Sequence, residues 1–313
     1  MKKISICIAC YNESGNIKPI SEAITALFSN ELKKYDYELL FIDNASSDST
    51  IDELREISSK NKKIKVILNA KNFGAYNSPY YGLLQTTGDC SILMACDFQD
   101  PVELLPKFVE EWEKGYKIVV GVKNKSKENP IIYAIRSFYY YLVKHFSNVD
   151  IISHYTSFGL YDKSFINLLA SLDDSTPFLR GIVAEFGYDI QKVYFEQPKR
   201  KVGKSHHSLS QLYSAAMLSF TTYTTLGLRI VTLFGFIVAL FSFIIGATYL
   251  IYKITHWYTF SAGMAPVLIG IFFLGSIILV SLGFVGEYVI SINKRLMNRP
   301  LVIEKERINF NDK

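Results

Sequence analysis

The sequence lacks two glycine-rich motifs with which many enzymes hold nucleotides. Its 313 residues contain neither a G-x-G-x-x-G nor a G-x-x-x-x-G-K-[ST], so neither a dinucleotide-dependent dehydrogenase nor a P-loop NTPase is indicated. Internal repeats and low-complexity tracts are also missing. The length is enough for one large domain or two small ones.

Cysteine is scarce, with four residues in the chain, which fits a reducing compartment. Cys7 and Cys10 form a C-x-x-C, a spacing that is worth testing as a metal or redox motif. The pair lies in a β-like apolar run, however, and no second cysteine pair has matching spacing. We therefore expect Cys7, Cys10, Cys90 and Cys96 to be small buried hydrophobic residues.

Charge is nearly absent from two long stretches near the C-terminus. Residues 230–252 contain no charged residue, and residues 267–292 contain only Glu287. At ~1.5 Å per residue the first stretch spans roughly 34 Å as a helix, enough to cross a ~30 Å hydrocarbon core. Core helices this long rarely lack charge, so the sequence predicts two membrane-spanning helices.

The distribution of lysine and arginine predicts how these spans are oriented. The N-terminal apolar run is too short for a secretory signal. The loop between the spans, residues 253–266, has Lys253 as its only lysine or arginine. By the positive-inside rule we expect a multi-pass protein of the cytoplasmic membrane, with both termini and the large N-terminal part in the cytoplasm. The basic residues that flank the spans are Lys199, Arg200, Lys201, Lys204 and Arg229 before the first, and Lys294, Arg295 and Arg299 after the second.

Apolar runs alternate with helical periodicity over the first 122 residues. This alternation predicts an α/β fold with a mainly parallel sheet that is covered on both faces. Ligands of such sheets bind outside the carboxyl ends of the strands. The predicted strands are residues 4–10, 37–43, 64–69, 90–97 and 117–122.

Polar clusters follow the first four predicted strands: YNES, DNASSDS, NFG and DFQD. Each alone is ordinary turn composition, but four on one edge predict a ligand site. Asp97, Gln99 and Asp100 offer the oxygen ligands that suit Mg²⁺ or Mn²⁺ shared with a diphosphate. Asp43 and Asp48 are candidates for the base or ribose. Since Pro101 follows it, Asp100 has an alternative role as a helix cap.

The motifs IACYNESGNI, FIDNASSDST, NFG, DFQDPVE and RKVGKSHHSL, in this order, resemble those of glycosyltransferase family 2. The chain is similar to its polyprenyl-phosphate glycosyltransferase branch, which is dolichol-phosphate mannose synthase-like and has two C-terminal membrane helices. The resemblance covers nearly the whole chain, including GEYVISINKRLMNRP near its end.

The resemblance implies a cytoplasmic GT-A nucleotide-sugar-binding domain over residues 1–207. An interfacial amphipathic helix over residues 208–228 is expected next, with ordinary core packing as its alternative. A two-helix transmembrane hairpin over residues 229–292 and a cytoplasmic tail over residues 293–313 complete the predicted organisation.

The implied reaction moves a sugar from a nucleotide-sugar, with UDP ahead of GDP, to polyprenyl (undecaprenyl) phosphate with inversion, for cell-envelope glycan modification. Mg²⁺ or Mn²⁺ is the implied cofactor, and the lipid bilayer is a partner. No nucleic-acid partner is expected, and a homo-oligomer is left open. The implied site residues are Asp97, Asp100 and Arg200 for catalysis, Ala9, Tyr11, Glu13, Asp43 and Asp97 for the nucleotide, Asp97 and Gln99 for the metal, and Lys123, Arg200, Lys201, Ser205 and His206 for binding the acceptor or a phosphate.

Several positions depart from the family pattern. These departures affect the expected identity of the donor more than the expected class of reaction. The first Asp of the usual Asp-x-Asp is replaced, which leaves Asp97 as the one matching carboxylate. The departures are Ala95 for that Asp, Asn44 for a second Asp, Lys123 for an Arg, His206 for a Lys, and Ser157 and Gly159 within a segment where Asp-Phe-Arg-Leu is common.

Three alternatives remain open at this level. A processive polysaccharide synthase would share the core, but two spans are few for a channel and no Gln-x-x-Arg-Trp occurs. A GT-A transferase with another lipid acceptor is also allowed. A non-catalytic membrane scaffold has slight support from Ala95, whereas Asp43, Asp97 and Arg200 disfavour it. The basic cluster over residues 199–206 is either a phosphate site or a topology signal, and both roles are compatible.

Overall fold

The computed structural model describes residues 1–124, 149, 152–186, 188–198, 217, 226–256, 264–297 and 299–310. The described residues fall into two compact units. One unit holds those up to residue 198 together with those from residue 297 onward, and the other holds residue 217 and the two long helices.

The first unit is built on an eight-stranded sheet in the order β7-β5-β6-β4-β1-β2-β3-β8. The pairs β1–β2, β1–β4, β2–β3 and β5–β7 are parallel, whereas β6 is antiparallel to β4 and β5, and β8 to β3. The prediction of a mainly parallel sheet is therefore confirmed. The strands are β1 Lys3–Cys10, β2 Asp36–Asp43, β3 Ile64–Asn69, β4 Cys90–Ala95, β5 Ile118–Lys123, β6 Tyr155–Asp162, β7 Ile190–Phe195 and β8 Glu304–Ile308.

Helices cover both faces of this sheet, as the alternating pattern predicts. One hydrophobic layer contains apolar residues of α1, α2 and α4, and the other contains those of α3, α5 and α6. Along β1 the side chains alternate between the layers, because Ile6 and Ile8 enter the first and Cys7 the second, as the two-residue period of a strand requires. The helices are α1 Ile17–Asn30, α2 Thr50–Lys60, α3 Gly74–Leu84, α4 Leu105–Glu113, α5 Lys163–Ser171 and α6 Leu179–Glu185.

All four cysteines are buried in these layers, which confirms that they act as small hydrophobic residues. Burial raises the pKa of the Cys7 and Cys10 thiols, so both stay protonated and are poor metal ligands. The C-x-x-C therefore belongs to the core of the sheet.

The C-terminal segment, predicted as a cytoplasmic tail over residues 293–313, adds a strand to the sheet. Strand β8 pairs with β3, with Val66 opposite Ile308, and the Ala70 N–H donates to the Ile303 carbonyl at 2.8 Å. The Asn309 side chain donates to the carbonyl of Ile64 at 2.8 Å. The sequence did not predict this strand because EKERI lacks apolar alternation.

The second unit contains two long apolar helices, α7 Leu226–Thr255 and α8 Met264–Leu296. Each includes a candidate membrane span, Ile230–Thr248 and Phe273–Asn293, and none of the residues in the span windows is buried. This exposure separates them from core helices of a soluble domain, because large exposed apolar surfaces mark membrane or protein contacts.

Three sequence expectations fall outside the described residues. The aromatic-rich pattern of residues 130–146 predicts an amphipathic helix. The interfacial helix is expected over residues 208–228, of which Met217 and Leu226–Leu228 are described. The basic cluster over residues 199–206 also lies outside the described part of the chain.

A buried ionic cluster around Glu38 joins the three central strands near the amino end of β1. The Glu38 side chain is 2 % exposed and forms salt bridges with Lys3 at 2.7 Å and Lys65 at 2.8 Å. It also accepts hydrogen bonds from the Ser5 hydroxyl at 2.6 Å and the Thr87 N–H at 2.7 Å. Burial alone would raise the pKa of Glu38, but these partners outweigh it and lower the pKa to about 2.

We predict that Glu38→Gln lowers the free energy of unfolding by about 3 kcal/mol at neutral pH, because it leaves two ammonium groups without their buried counter-charge. The folded pKa lies below the ordinary value of 4.5. Ionised Glu38 therefore stabilises the fold fully above pH 4.5, and this contribution is lost as the pH falls toward 2. Thermal melts of both proteins in detergent should converge over that range. Glu31→Gln, at an exposed residue, is the matched control, and equal melting at neutral pH would contradict the prediction.

Candidate functional site

The carboxyl ends of the central parallel strands meet at one edge of the sheet. In the register of β1 with β2, Cys10 lies opposite Asp43, and in that of β1 with β4, Ala9 lies opposite Ala95. The polar segments that follow these strands therefore begin side by side, as the sequence predicts.

Hydrogen bonds tie the loop after β1 to the loop after β2. The Asn12 N–H donates to the Ser46 hydroxyl at 2.8 Å, and the Ser47 N–H donates to the Asn12 side-chain oxygen at 2.8 Å. Asn12 can do both because it adopts a left-handed conformation with φ of 54°, which asparagine tolerates better than most residues. The Glu13 N–H donates to the Thr50 hydroxyl at 2.9 Å. The two loops therefore form one rigid rim.

The residues predicted for the nucleotide lie on or beneath this rim. Asp43 is fully buried, and its carboxylate accepts hydrogen bonds from the N–H of Ser46, at 3.0 Å, and from its hydroxyl. Burial raises the pKa of Asp43, and the Ser46 donors oppose that shift. Glu13 is also buried and accepts from the Asn16 amide at 2.7 Å, while Ala9 and Tyr11 are half-buried. Nucleotide contacts by these residues remain a prediction.

Asp48 also organises the rim in this structure. It accepts hydrogen bonds from the Thr50 N–H at 3.0 Å and from the Ser14 N–H at 3.2 Å. Burial would raise the pKa of Asp48, but these donors outweigh it and leave the pKa below its ordinary value. The carboxylate is therefore ionised near neutral pH.

Asn44 joins the end of β2 to the loop that precedes α3. Its amide nitrogen donates to the Asn72 side-chain oxygen at 2.9 Å and to the Gly74 carbonyl at 3.2 Å. Its amide oxygen accepts from the Asn69 amide at 3.1 Å and from the Phe73 N–H at 2.8 Å. A carboxylate accepts hydrogen bonds but has no donor when ionised, which gives a physical reason for Asn where relatives often have Asp.

The acidic turn after β4 folds back on its own strand. Asp100 accepts a hydrogen bond from the Ala95 N–H at 2.9 Å, and Asp97 accepts one from the Gln99 N–H at 3.1 Å. Phe98 between them has a positive φ of 60°. The alternative role of Asp100 as a helix cap is wrong, because neither the 3₁₀ turn Val102–Leu104 nor α4 has a side-chain cap.

Burial raises the pKa of Asp100 to about 6, although the Ala95 N–H and the Lys123 charge act in the opposite direction. The nearby Asp97 carboxylate adds to the increase. Lys123 ends β5 and is half-buried, and its positive charge acts on Asp100. Its role as a phosphate-binding cation remains a prediction.

The oxygen ligands at this turn suit a metal ion that is also bound by the substrate, because they are too few to coordinate the ion without it. Within the described residues no group of three or more His, Cys, Asp or Glu side chains is placed to hold a metal ion. Asp97 supplies one carboxylate and Gln99 an amide oxygen, while Asp100 is engaged by Ala95. Mg²⁺ commonly binds through one or two carboxylates and completes its shell with water and substrate phosphates, so these residues suit such an ion.

Gly159, one of the departures on β6, has a structural cause. A Cβ on Gly159 would lie 2.6 Å from the Val119 carbonyl oxygen, so the close pairing of β5 and β6 requires glycine there. Ser157 has a φ of 75°, and its carbonyl accepts a hydrogen bond from the Tyr161 hydroxyl at 2.8 Å. Tyr161 in turn contacts the hydroxyl of Tyr155, and both rings are buried.

The predicted acceptor or phosphate residues outside β5 are not described by the structure. Arg200, Lys201, Ser205 and His206 all lie outside the described residues, so their roles remain predictions. Sequence reasoning also missed one cation on the described part of this edge, Arg180, since no motif marks it.

Comparison with known proteins places the chain in a class. A family model described as glycosyl transferase family 2 matches residues 5–185, which is more than half of the chain. The protein is a glycosyltransferase with a GT-A-like α/β fold, followed by two apolar helices that are candidate membrane spans. The chain belongs to glycosyl transferase family 2, as the sequence motifs indicated.

Two relatives align along nearly the full chain. CsbB of Bacillus subtilis (strain 168), named as a glycosyltransferase, is 31% identical over 304 residues that cover 97% of this chain and 91% of CsbB. A bactoprenol glucosyl transferase of Shigella phage SfX is 28% identical over 306 residues, which cover 97% of this chain and 99% of the phage protein.

A solved structure of glucosyl-3-phosphoglycerate synthase from Mycobacterium tuberculosis, in complex with Mn²⁺, UDP-glucose and phosphoglyceric acid, is also similar. It has 16% identity and a TM-score of 0.46, and the match covers 71% of this chain and 78% of that one. A likeness this distant carries no argument about the present chain.

We predict that Asn44→Asp destabilises the first unit by about 1–3 kcal/mol, because a buried carboxylate would face two acceptors without a proton to donate. The melting temperature in detergent should fall accordingly. Asn30→Asp, the same chemical change at an exposed residue, should shift it by much less. If both variants melt with the wild type, the four hydrogen bonds of Asn44 do not hold the edge together.

Proposed function

We propose that this protein transfers a sugar from a nucleotide-sugar to a polyprenyl phosphate at the membrane, with inversion at the anomeric carbon. The observation that carries the proposal is the full-length similarity to a bactoprenol glucosyl transferase. That similarity includes the region of both apolar helices, which would keep the protein at the membrane, where a lipid acceptor lies. Undecaprenyl phosphate is the proposed acceptor, and modification of a cell-envelope glycan is the proposed role.

On the donor side, the acidic turn and Lys123 would receive the diphosphate. Asp97 and Gln99 would hold Mg²⁺ or Mn²⁺, which supplies positive charge to the departing diphosphate when it is bound. Asp43, with Ala9 near the end of β1 and Tyr11 and Glu13 in the loop that follows, would contact the base and ribose. UDP is the proposed nucleotide on the family resemblance, and the sugar is left to experiment.

On the acceptor side, the reaction needs no general base. A phosphate monoester has a second pKa near ~6 and is mostly dianionic at neutral pH, so its oxygen can attack the anomeric carbon directly. The new bond joins that oxygen to the sugar, and the bond to the nucleoside diphosphate breaks. Positioning and charge neutralisation then supply most of the catalysis, which is consistent with Ser157 where relatives often have an acid. Arg200 would contact a phosphate near the membrane surface.

The proposal predicts a product that partitions into organic solvent. Membranes containing the protein should transfer label from one of a panel of labelled nucleotide-sugars to added undecaprenyl phosphate. Mild acid should release that label, because glycosyl phosphates are acid-labile. Label that enters a water-soluble polymer would favour a polysaccharide synthase, and no hydrolysis or transfer of any donor would favour a scaffold.

We predict that Asp97→Asn reduces turnover by at least ~100-fold while the melting temperature stays close to that of the wild type, because it removes a charged ligand and little volume. Thorough chelation of the wild type should reduce turnover, and Mg²⁺ or Mn²⁺ should restore it. Asp52→Asn, at an exposed residue of α2, should be fully active. Wild-type turnover that survives chelation would exclude the proposed metal role.

The chain path supports a hairpin across the membrane. Strands β7 and β8 belong to the same sheet, and both apolar helices lie between them in the chain. If each helix crosses once, the two crossings return the chain to the side from which it left. Together with the lysine and arginine distribution, this supports a catalytic unit and both termini in the cytoplasm.

This topology predicts the reactivity of introduced cysteines. A cysteine at Ser261, between the helices, should react with an impermeant thiol reagent in intact cells. One at Ser126 should react only after permeabilisation. The four native cysteines are buried and should give little background. The reverse labelling pattern would rule out the proposed orientation.

A further inference from the structure

Arg180, at the start of α6, lies beside the same edge of the sheet and has no assigned role. We propose that its guanidinium binds phosphate oxygens of a reactant, either the diphosphate of the donor or the phosphate of the lipid acceptor. The inference rests on the proposed function and adds a binding residue to it.

Two aromatic rings fix the orientation of the Arg180 side chain. Its guanidinium carbon lies 5.0 Å from the centre of the Phe178 ring and 5.6 Å from that of Tyr76. Its Nη2 donates a hydrogen bond to the Tyr76 hydroxyl at 3.1 Å. Contacts of a cation with ring faces at these distances are favourable, so the side chain is held in one place before any ligand arrives.

Most of the hydrogen-bonding capacity of Arg180 remains unused. A guanidinium has five N–H donors, and among the described residues the structure gives Arg180 one hydrogen bond and no ion pair. The acid on the preceding segment, Asp174, accepts instead from the Thr176 N–H at 2.9 Å. Because Arg180 is half-buried, an anion that reached it would gain from partial shielding from water.

The contacts of Arg180 place it at the edge where the polar loops meet. Tyr76 lies in the first turn of α3, which follows the loop held by Asn44. On the other side, burial raises the pKa of Tyr155 and the charge of Arg180 acts against that increase. Tyr155 lies opposite Val122, the residue before Lys123. Arg180 and Lys123 are therefore two cations near Tyr155 at this edge.

Phosphate is the anion that this arrangement suits. The planar guanidinium can bind two phosphate oxygens at once, whereas an ammonium group acts as a point charge. The proposed reaction brings three phosphate groups to this edge, two on the donor and one on the acceptor.

The test compares Arg180→Gln, Arg180→Lys and Tyr76→Phe in the full-length protein purified in detergent. Arg55→Gln, at an exposed arginine of α2, is the matched control. Equilibrium binding is measured separately for UDP and GDP with Mn²⁺, and for farnesyl phosphate with farnesol as its phosphate-free counterpart. KM values for donor and acceptor, and melting temperatures, are measured on the same preparations.

We expect Arg180→Gln to weaken binding of one phosphate ligand by at least about tenfold, since it removes charge-assisted hydrogen bonds to the phosphate oxygens. Its melting temperature and its affinity for farnesol should match those of the wild type. Arg180→Lys should recover part of the affinity, and Tyr76→Phe should lose less than Arg180→Gln. A loss confined to the nucleotides assigns Arg180 to the donor, and one confined to farnesyl phosphate assigns it to the acceptor.

Unchanged affinity for every phosphate ligand in Arg180→Gln would overturn the inference. So would equal losses in Arg180→Gln and Arg180→Lys that follow a lowered melting temperature, because that pattern marks a structural role. The proposed function fails separately, if the wild type transfers no sugar to undecaprenyl phosphate. The binding measurements with UDP and GDP do not depend on undecaprenyl phosphate, so they test Arg180 even if that transfer fails.

Discussion

Parallel pairing of β1 with β2 and β4 is the constraint on which the candidate site depends. Because the carboxyl ends of parallel strands share an edge, Asp43 lies opposite Cys10, and the turn after Ala95 begins opposite Ala9. Asn44 and Ser46 then hold the following loops together through hydrogen bonds to neighbouring segments. The sheet sets which residues lie opposite each other, and hydrogen bonds from side-chain amides and hydroxyls hold the loops at this edge together.

Burial and neighbouring charges together set the protonation of the acidic turn at this edge. Asp97 and Asp100 are both largely buried, and their proximity with burial raises the pKa of Asp100 to about 6. The positive charge of Lys123 opposes part of this increase in the pKa of Asp100. A diphosphate with its metal would add both charges and ligands to a region that already contains two carboxylates and a lysine. The replacement at Ala95 leaves a single carboxylate from the usual pair, so the proposed metal would depend more on ligands from the substrate.

The C-terminal strand links the membrane region to the catalytic sheet. Strand β8 pairs with β3 and carries Glu306, which forms an ion pair with Arg55 of α2. Exposed ion pairs contribute little stability, so the backbone pairing and the buried Val302 are the main attachment. The chain therefore returns to the sheet after both apolar helices.

The sequence alone determined the α/β class, the edge on which the polar clusters lie, the two apolar helices and the family, because local periodicity and ordered motifs carry that information. Only the tertiary structure decided the pairing of β8 and the four hydrogen bonds of Asn44. The same holds for the hydrogen bond from the Ala95 N–H to Asp100 and for the contacts of Arg180 with two aromatic rings. Each of these depends on a partner brought close by folding. In the sequence, EKERI has the composition of an exposed polar segment, and only its backbone pairing with β3 makes it a strand. Likewise, nothing in the sequence distinguishes Arg180 from other surface arginines, and only the structure shows its contacts with Tyr76 and Phe178.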